Sequence, residues 1–107
     1  MGNDLLPGTL DMLILGSLTH GERHGYGIAQ HLKKISEDVL DVGESSLYPA
    51  LQRLVLNDWV TAEWGASENN RRARYYKLTA AGRKQLAAEN HEFDRMIVAI
   101  QKVLSCA

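Results

Sequence analysis

The stretch from Glu44 to Leu78 constrains the fold most. It reads as a short helix, a turn and a two-stranded hairpin with a basic tip. Leu47, Leu51, Leu54 and Val55 recur at helical spacing and make one apolar stripe. Ser45 or Ser46 offers an N-cap hydroxyl, which would put Pro49 in the first turn, where a missing N–H costs little. Ser45, Ser46, Tyr48, Gln52 and Arg53 fall mostly off the stripe. Small polar residues with a Tyr, a Gln and an Arg suit the major groove of DNA. Gln and Arg can reach base edges, while Ser and Tyr can bond phosphates. An amphipathic surface helix with a solvated face has the same pattern, so the discrimination rests on the hairpin next to it.

Trp59 to Trp64 is rich in aromatic and β-branched residues and predicts a strand, with Arg74 to Leu78 as its partner. Between them, Gly65 to Ala73 is a polar loop with Gly65, Ser67, Asn69 and Asn70. Arg71, Arg72 and Arg74 make a positive arm at the hairpin tip. Such an arm can follow a phosphate backbone or enter a narrow minor groove. A solvated charge run is the alternative for the arginines alone. A polar-faced helix followed at once by a basic-tipped hairpin is the order of a winged helix-turn-helix. The predicted class is α+β, mostly α, with a two-stranded wing and a long C-terminal dimerisation helix.

Met1 to Pro7 is expected to fray. Thr9 can cap a helix through about Leu18, with Leu10, Leu13, Ile14 and Leu18 (or Leu15) as its core stripe. His20 to Arg23 is a turn, and His24-Gly25-Tyr26-Gly27 opens a second helix running through Ile28, Leu32 and Ile35. Tyr26 has an apolar body for the core and a hydroxyl for a phosphate. Ser36 to Gly43 is a connection whose Val39, Leu40 and Val42 could form an extended segment pairing with the wing. Asn57 and Asp58 tolerate the left-handed conformation that a helix end often needs.

Thr79 caps the last helix. From Arg83 the pattern is a heptad: Leu86, Phe93 and Ile100 are one series, Asn90, Ile97 and Leu104 another, widened by Met96 and Val103. About 22 residues of helix would span about 33 Å. Little chain remains to cover this seam, so a second copy is expected to cover it, with Asn90 setting register. The division expected is a winged-helix DNA-binding domain at 1–79 and a dimerisation helix at 80–107. Two reading helices related by a two-fold axis would address a palindrome with half-sites about one helical turn apart.

Composition sets outer bounds. A net charge of −1 argues against a general nucleic-acid coat protein, though the field at the contact surface matters more than the total. Acidic residues lie mainly outside the hairpin, with Glu44 close to the proposed DNA face. The apolar run Met12 to Leu15 is too short for a membrane span or a signal core. The single Cys106 cannot form an internal disulfide, and a cytoplasmic location is expected. No cofactor or metal is expected. His20, His24 and His31 cluster without a Cys pair or a His-Glu-x-x-His motif. No signature assembles a nucleophile with a base, so an enzyme is not expected.

The residues also resemble the PadR family of winged-helix transcriptional regulators, in its small form with one C-terminal dimerisation helix. The resemblance covers nearly the whole chain. It is carried by Leu13-Ile14-Leu15, His24 to Ile28, Gly43 to Leu51 with Arg53-Leu54, and Arg72 to Thr79 with Gly82. It implies a homodimeric DNA-binding repressor relieved by a small-molecule effector. It also implies that Ser45, Ser46, Tyr48 and Pro49 belong to the reading helix, that Arg72, Arg74 and Tyr76 belong to the wing, and that Tyr26 lies near the DNA backbone. The chain departs from the family pattern at Asp58, where Gly is usual, and at Ala73 and Arg74, where Pro and Lys are frequent. Some relatives stack flat drugs between tryptophans of the dimer helix. Here Trp59 and Trp64 both fall in the strand region, so no such pore is carried over. The expected partners are therefore double-stranded DNA, a second copy of the chain and an unidentified effector, with no membrane. A protein-interaction module with a winged-helix shape and no DNA target is the alternative.

Overall fold

The computed structural model describes residues 8–106, so the expectation for Met1 to Pro7 lies outside the described residues. Helix α1 (Thr9–Ser17) is followed by a two-residue strand β1 (Arg23–His24) and helix α2 (Gly25–Ile35). Helix α3 (Glu44–Leu56) leads into strands β2 (Val60–Ala66) and β3 (Arg72–Leu78), and helix α4 (Ala80–Ser105) ends the chain. The antiparallel sheet has the order β1-β3-β2. This is the winged-helix class that the sequence predicts.

The helical stripes meet in one core. Ile14, Leu15 and Leu18 come from α1 and its end, Ile28 and Leu32 from α2, and Leu47, Ala50, Leu51 and Leu54 from α3. Val60, Tyr76 and Leu78 close it from the sheet. Leu10, Leu13 and Val55, also expected in stripes, are partly buried around its edge.

Several local expectations are corrected. Thr9 is the first helical residue, not the cap of α1. Gly8 takes that position at φ 89°, and its carbonyl accepts the Met12 N–H at 3.0 Å. The third strand comes from Arg23–His24, opposite Tyr76 and Tyr75, and not from Ser36 to Gly43. Arg23 is drawn there because its Nε donates to the Ser17 carbonyl at 2.9 Å, tying the strand to the end of α1. The hairpin is longer and its loop shorter than predicted. Gly65-Ala66 and Arg72-Ala73 pair across it, leaving only residues 67–71 as loop. The Ser67 N–H donates to the Arg71 carbonyl at 2.7 Å, and Asn70 closes the turn at φ 57°.

The joint between wing and last helix is tight. Asp58 adopts the left-handed conformation (φ 61°), and the Trp59 N–H reaches back to the Leu54 carbonyl at 3.1 Å, closing α3. Thr79 caps α4 as expected: its Oγ1 accepts from the Gly82 N–H at 2.9 Å and donates to the Asp58 carbonyl at 2.8 Å. Gly82 must lack a side chain, since a Cβ there would collide with the Trp59 carbonyl oxygen. Helix α4 has 26 residues rather than 22, about 39 Å. Its first turns pack on the core through Leu86.

Candidate nucleic-acid interface

Helix α3 starts earlier than the serines suggest. Gly43 is extended (φ −82°, ψ 162°) and its carbonyl accepts from the Ser46 and Leu47 N–H groups at 3.1 and 3.0 Å. Neither serine caps the helix with its side chain. Pro49 is therefore the sixth helical residue, not a first-turn one. Its missing N–H leaves the Ser45 carbonyl without its helical donor, on an exposed residue that can turn outward. Both serine hydroxyls lie exposed in the first turn, where free N–H groups and the helix dipole favour an anion.

At about 100° per residue, Ser45, Pro49 and Gln52 point away from the buried stripe of Leu47, Ala50, Leu51 and Leu54. Ser46 and Arg53 occupy one flank, and Tyr48 the other with Glu44. Arg53 Nη2 is ion-paired to Asp11 Oδ1 of α1 at 2.8 Å, so its charge is directed along the domain. Tyr48 lies over the start of α2. A Cβ built on Gly25 would stand 2.8 Å from the Tyr48 ring, so the glycine makes room for it.

The start of α2 is set by His24, a cap that its place in the sequence does not announce. His24 Nδ1 accepts the Gly27 N–H at 2.9 Å. The same ring stacks 6.5 Å from Tyr26 and meets the edge of Tyr75 at 5.5 Å. One imidazole thus couples helix, wing and an exposed tyrosine. Tyr26 is 65% exposed, so its ring is on the surface and not in the core.

Strand alternation explains the wing. Val60, Ala62, Trp64 and Ala66 share a face with their partners Leu78, Tyr76, Arg74 and Arg72. At its base this face is core: Val60, Tyr76 and Leu78 are buried. Further out, past the edge of the helical layer, the same face carries Trp64, Arg74 and Arg72, all exposed. Arg72 and Arg74 therefore belong to a strand and not to the loop tip, which holds only Arg71. The other face is pinned by the Tyr75 hydroxyl, which donates to the Ala66 carbonyl at 3.0 Å.

Wing, α2 start and α3 flank enclose an open groove of about 760 Å³. It brings together Tyr26, Tyr48, Arg71, Arg72, Arg74 and Tyr76 from the sequence-predicted set. Ser45, Ser46, Pro49, Gln52 and Arg53 do not line it; the first four continue the surface along the exposed side of α3. Tyr76 is 6% exposed, so it contributes only the edge of a buried ring. Burial pushes its phenol above the ordinary tyrosine value, opposed by Arg74 and helped by Tyr48. Sequence reasoning missed His24, Gln30 and Trp64 in the groove. Register could have found Trp64, since it lies opposite Arg74.

The proposed dimerisation residues divide. Leu86 packs on the chain's own core and Ile97 is half-buried. Asn90 is exposed, as are Phe93, Met96, Ile100, Val103 and Leu104, the last two at 71% and 68%. Phe93 and Met96 also line a cleft of about 260 Å³ with Thr9 and Met12 of α1.

Known proteins share this fold. The family model described as transcriptional regulator PadR-like family matches residues 14–88. A transcriptional regulator from Clostridium thermocellum superposes with a TM-score of 0.84 at 28% identity, over 94% of this chain and 97% of that one. A PadR family transcription regulator from Clostridium difficile R20291 gives 0.78 at 26% identity, over 91% and 99%. Bacillus subtilis PadR, solved in complex with operator DNA, gives 0.66 at 28% identity, over 74% of this chain and 46% of that one.

Proposed function

The chain belongs to the PadR-like family of transcriptional regulators, and we propose that it acts as a homodimeric repressor that binds a palindromic operator. The observation that carries this reading is the continuity of two exposed surfaces. The outward side of α3 presents Ser45, Pro49 and Gln52, and the wing beside it presents Arg72 and Arg74 on one strand face. In this reading α3 enters the major groove, where Gln52 can pair with the N6 and N7 edge of adenine. The wing arginines take the backbone or the minor groove alongside. Tyr26 and Tyr48 supply hydroxyls to phosphates, and Ser45 and Ser46 offer theirs at the start of the helix. The operator complex of the Bacillus subtilis relative supports the choice of DNA as partner.

Residues 1–79 form the DNA-binding unit and 80–107 the dimer helix in this proposal. The apolar residues of α4 beyond Asn90 would lie against a second copy. The two reading helices then face half-sites about 34–36 Å apart or a multiple of it. Repression follows from occupying the operator in the cytoplasm. An effector bound at the dimer helix, or in the groove between the two units, would change the spacing of the reading helices. It would lower affinity by its preference for the altered state.

The test is a binding selection on random duplex DNA at two salt concentrations. The expected result is one enriched palindrome whose binding weakens steeply as salt rises. A folded, dimeric protein that enriches no sequence would overturn the reading in favour of a protein-interaction module.

A further inference from the structure

The outer end of the wing holds an arrangement that phosphate binding alone does not require. Trp64 is 60% exposed, an uncommon setting for so large an apolar side chain. The Arg72 guanidinium carbon lies 4.9 Å from the centre of its ring, within cation–π range. Both side chains are on the face that also carries Arg74, and all three line the groove toward Tyr26 and Tyr48. A free arginine has many rotamers to lose on binding. One laid on an indole has lost much of that freedom already, which favours the bound state.

We propose that Trp64 is a positioning residue for DNA recognition, holding the Arg72 guanidinium ready to enter the minor groove beside each half-site and so setting a preference for A·T-rich sequence there. This rests on the DNA-binding reading above. The physical reason is reach. An arginine free to swing satisfies itself on any phosphate and carries no sequence information. An arginine fixed on the wing, itself fixed relative to α3, arrives at one place on the duplex. If that place is a minor groove, the narrow and strongly negative groove of an A·T run binds it best. The contact with Trp64 does not hold the domain together, because the indole stands outside the core.

The experiment runs the random-duplex selection in parallel with the wild type, Trp64→Leu, Trp64→Phe, Arg72→Ala and the Trp64→Leu/Arg72→Ala double variant. All five should melt alike and recover the same half-site core, since α3 is untouched. The wild type and Trp64→Phe, which keeps a π-face, should enrich A·T runs flanking the core. Trp64→Leu and Arg72→Ala should lose that flank preference. On the best wild-type duplex, Trp64→Leu should bind about two- to fivefold more weakly per half-site. The double variant should bind no more weakly than Arg72→Ala, because Trp64 acts through Arg72. An unchanged flank preference in Trp64→Leu, or losses that add in the double variant, would overturn the proposal while leaving the DNA reading intact. A wild type that recovers no core would overturn both.

Discussion

Helices α3 and α4 both leave one side uncovered, and the chemistry of those two sides is opposite. Along α3 the outward residues are Ser45, Pro49 and Gln52, bordered by tyrosine and arginine. Along the second half of α4 they are Phe93, Met96, Ile100, Val103 and Leu104. Exposing Ser and Gln to water costs almost nothing. Exposing five large apolar side chains on one side forgoes about 1.5–3 kcal/mol for each that could be fully buried. The difference separates two kinds of partner. The α3 side is stable in water and, in the proposed reading, meets DNA. The α4 side is driven toward an apolar surface, which in the proposed dimer is a second copy of the chain.

Making the α4 side polar should have the largest effect. Ile100→Asp with Leu104→Asp should raise the dimer dissociation constant at least about a hundredfold, since burying unpaired carboxylates costs several kcal/mol. Sedimentation velocity across a dilution series reads the change. DNA affinity should fall with it, because two half-sites are no longer held by one particle. A variant that stays dimeric would move the interface elsewhere.

The converse change should touch only the other partner. Arg72→Ala with Arg74→Ala removes four charges per dimer. It should lower the salt dependence of binding by about three to four in slope if each charge neutralises a phosphate. The melting midpoint should hold, as neither arginine has an ion-pair partner among the described salt bridges. Fluorescence anisotropy at several salt concentrations gives the slope. A fall in stability equal to the loss in binding would show that the wing arginines serve the fold.

Gly25→Ala is a finer probe. The added methyl must displace the Tyr48 ring, but that ring is 43% exposed and can swing aside. Stability should change little, while DNA affinity should fall by roughly two- to tenfold per half-site, the worth of one hydrogen bond. Thermal melts and anisotropy together distinguish this from general damage to α2.

The two helix faces are legible in the sequence for one reason: each apolar stripe repeats at the helical period over two turns or more. Leu47, Leu51 and Leu54 are buried where that period puts them. Legibility fails where a feature is too short to have a period. Strand β1 is two residues long and exists because β3 offers it an edge. The hairpin reads too short because Gly65, Ala66 and Ala73 have weak strand preference of their own and are held by their partners. The start of α3 is misplaced from sequence because a backbone carbonyl, that of Gly43, serves the first N–H groups without help from a side chain. Trp64 reads as strand filling, because its burial depends on how far the wing extends past the helices.

A last, smaller effect concerns a polar surface outside both faces. His31 of α2 sits among Arg23 of β1, His20 of the turn and Lys34 of its own helix. Burial lowers its pKa from the ordinary histidine value, and those three neighbours lower it further. The unfolded chain therefore takes up this proton at a higher pH than the folded one. The stabilising contribution of a neutral His31 is complete above about pH 6.5 and is lost as pH falls through the lowered value. Denaturant midpoints of the wild type and His31→Gln should accordingly run parallel above neutrality and converge or cross on acidification, the variant losing less. DNA binding at pH 7.5 should be the same in both, since His31 lies outside the groove that holds Tyr26, Tyr48 and the wing arginines. A variant that binds DNA more weakly at that pH would extend the reading surface along α2, and the boundary between the polar face that binds and the polar face that is merely solvated would have to be redrawn.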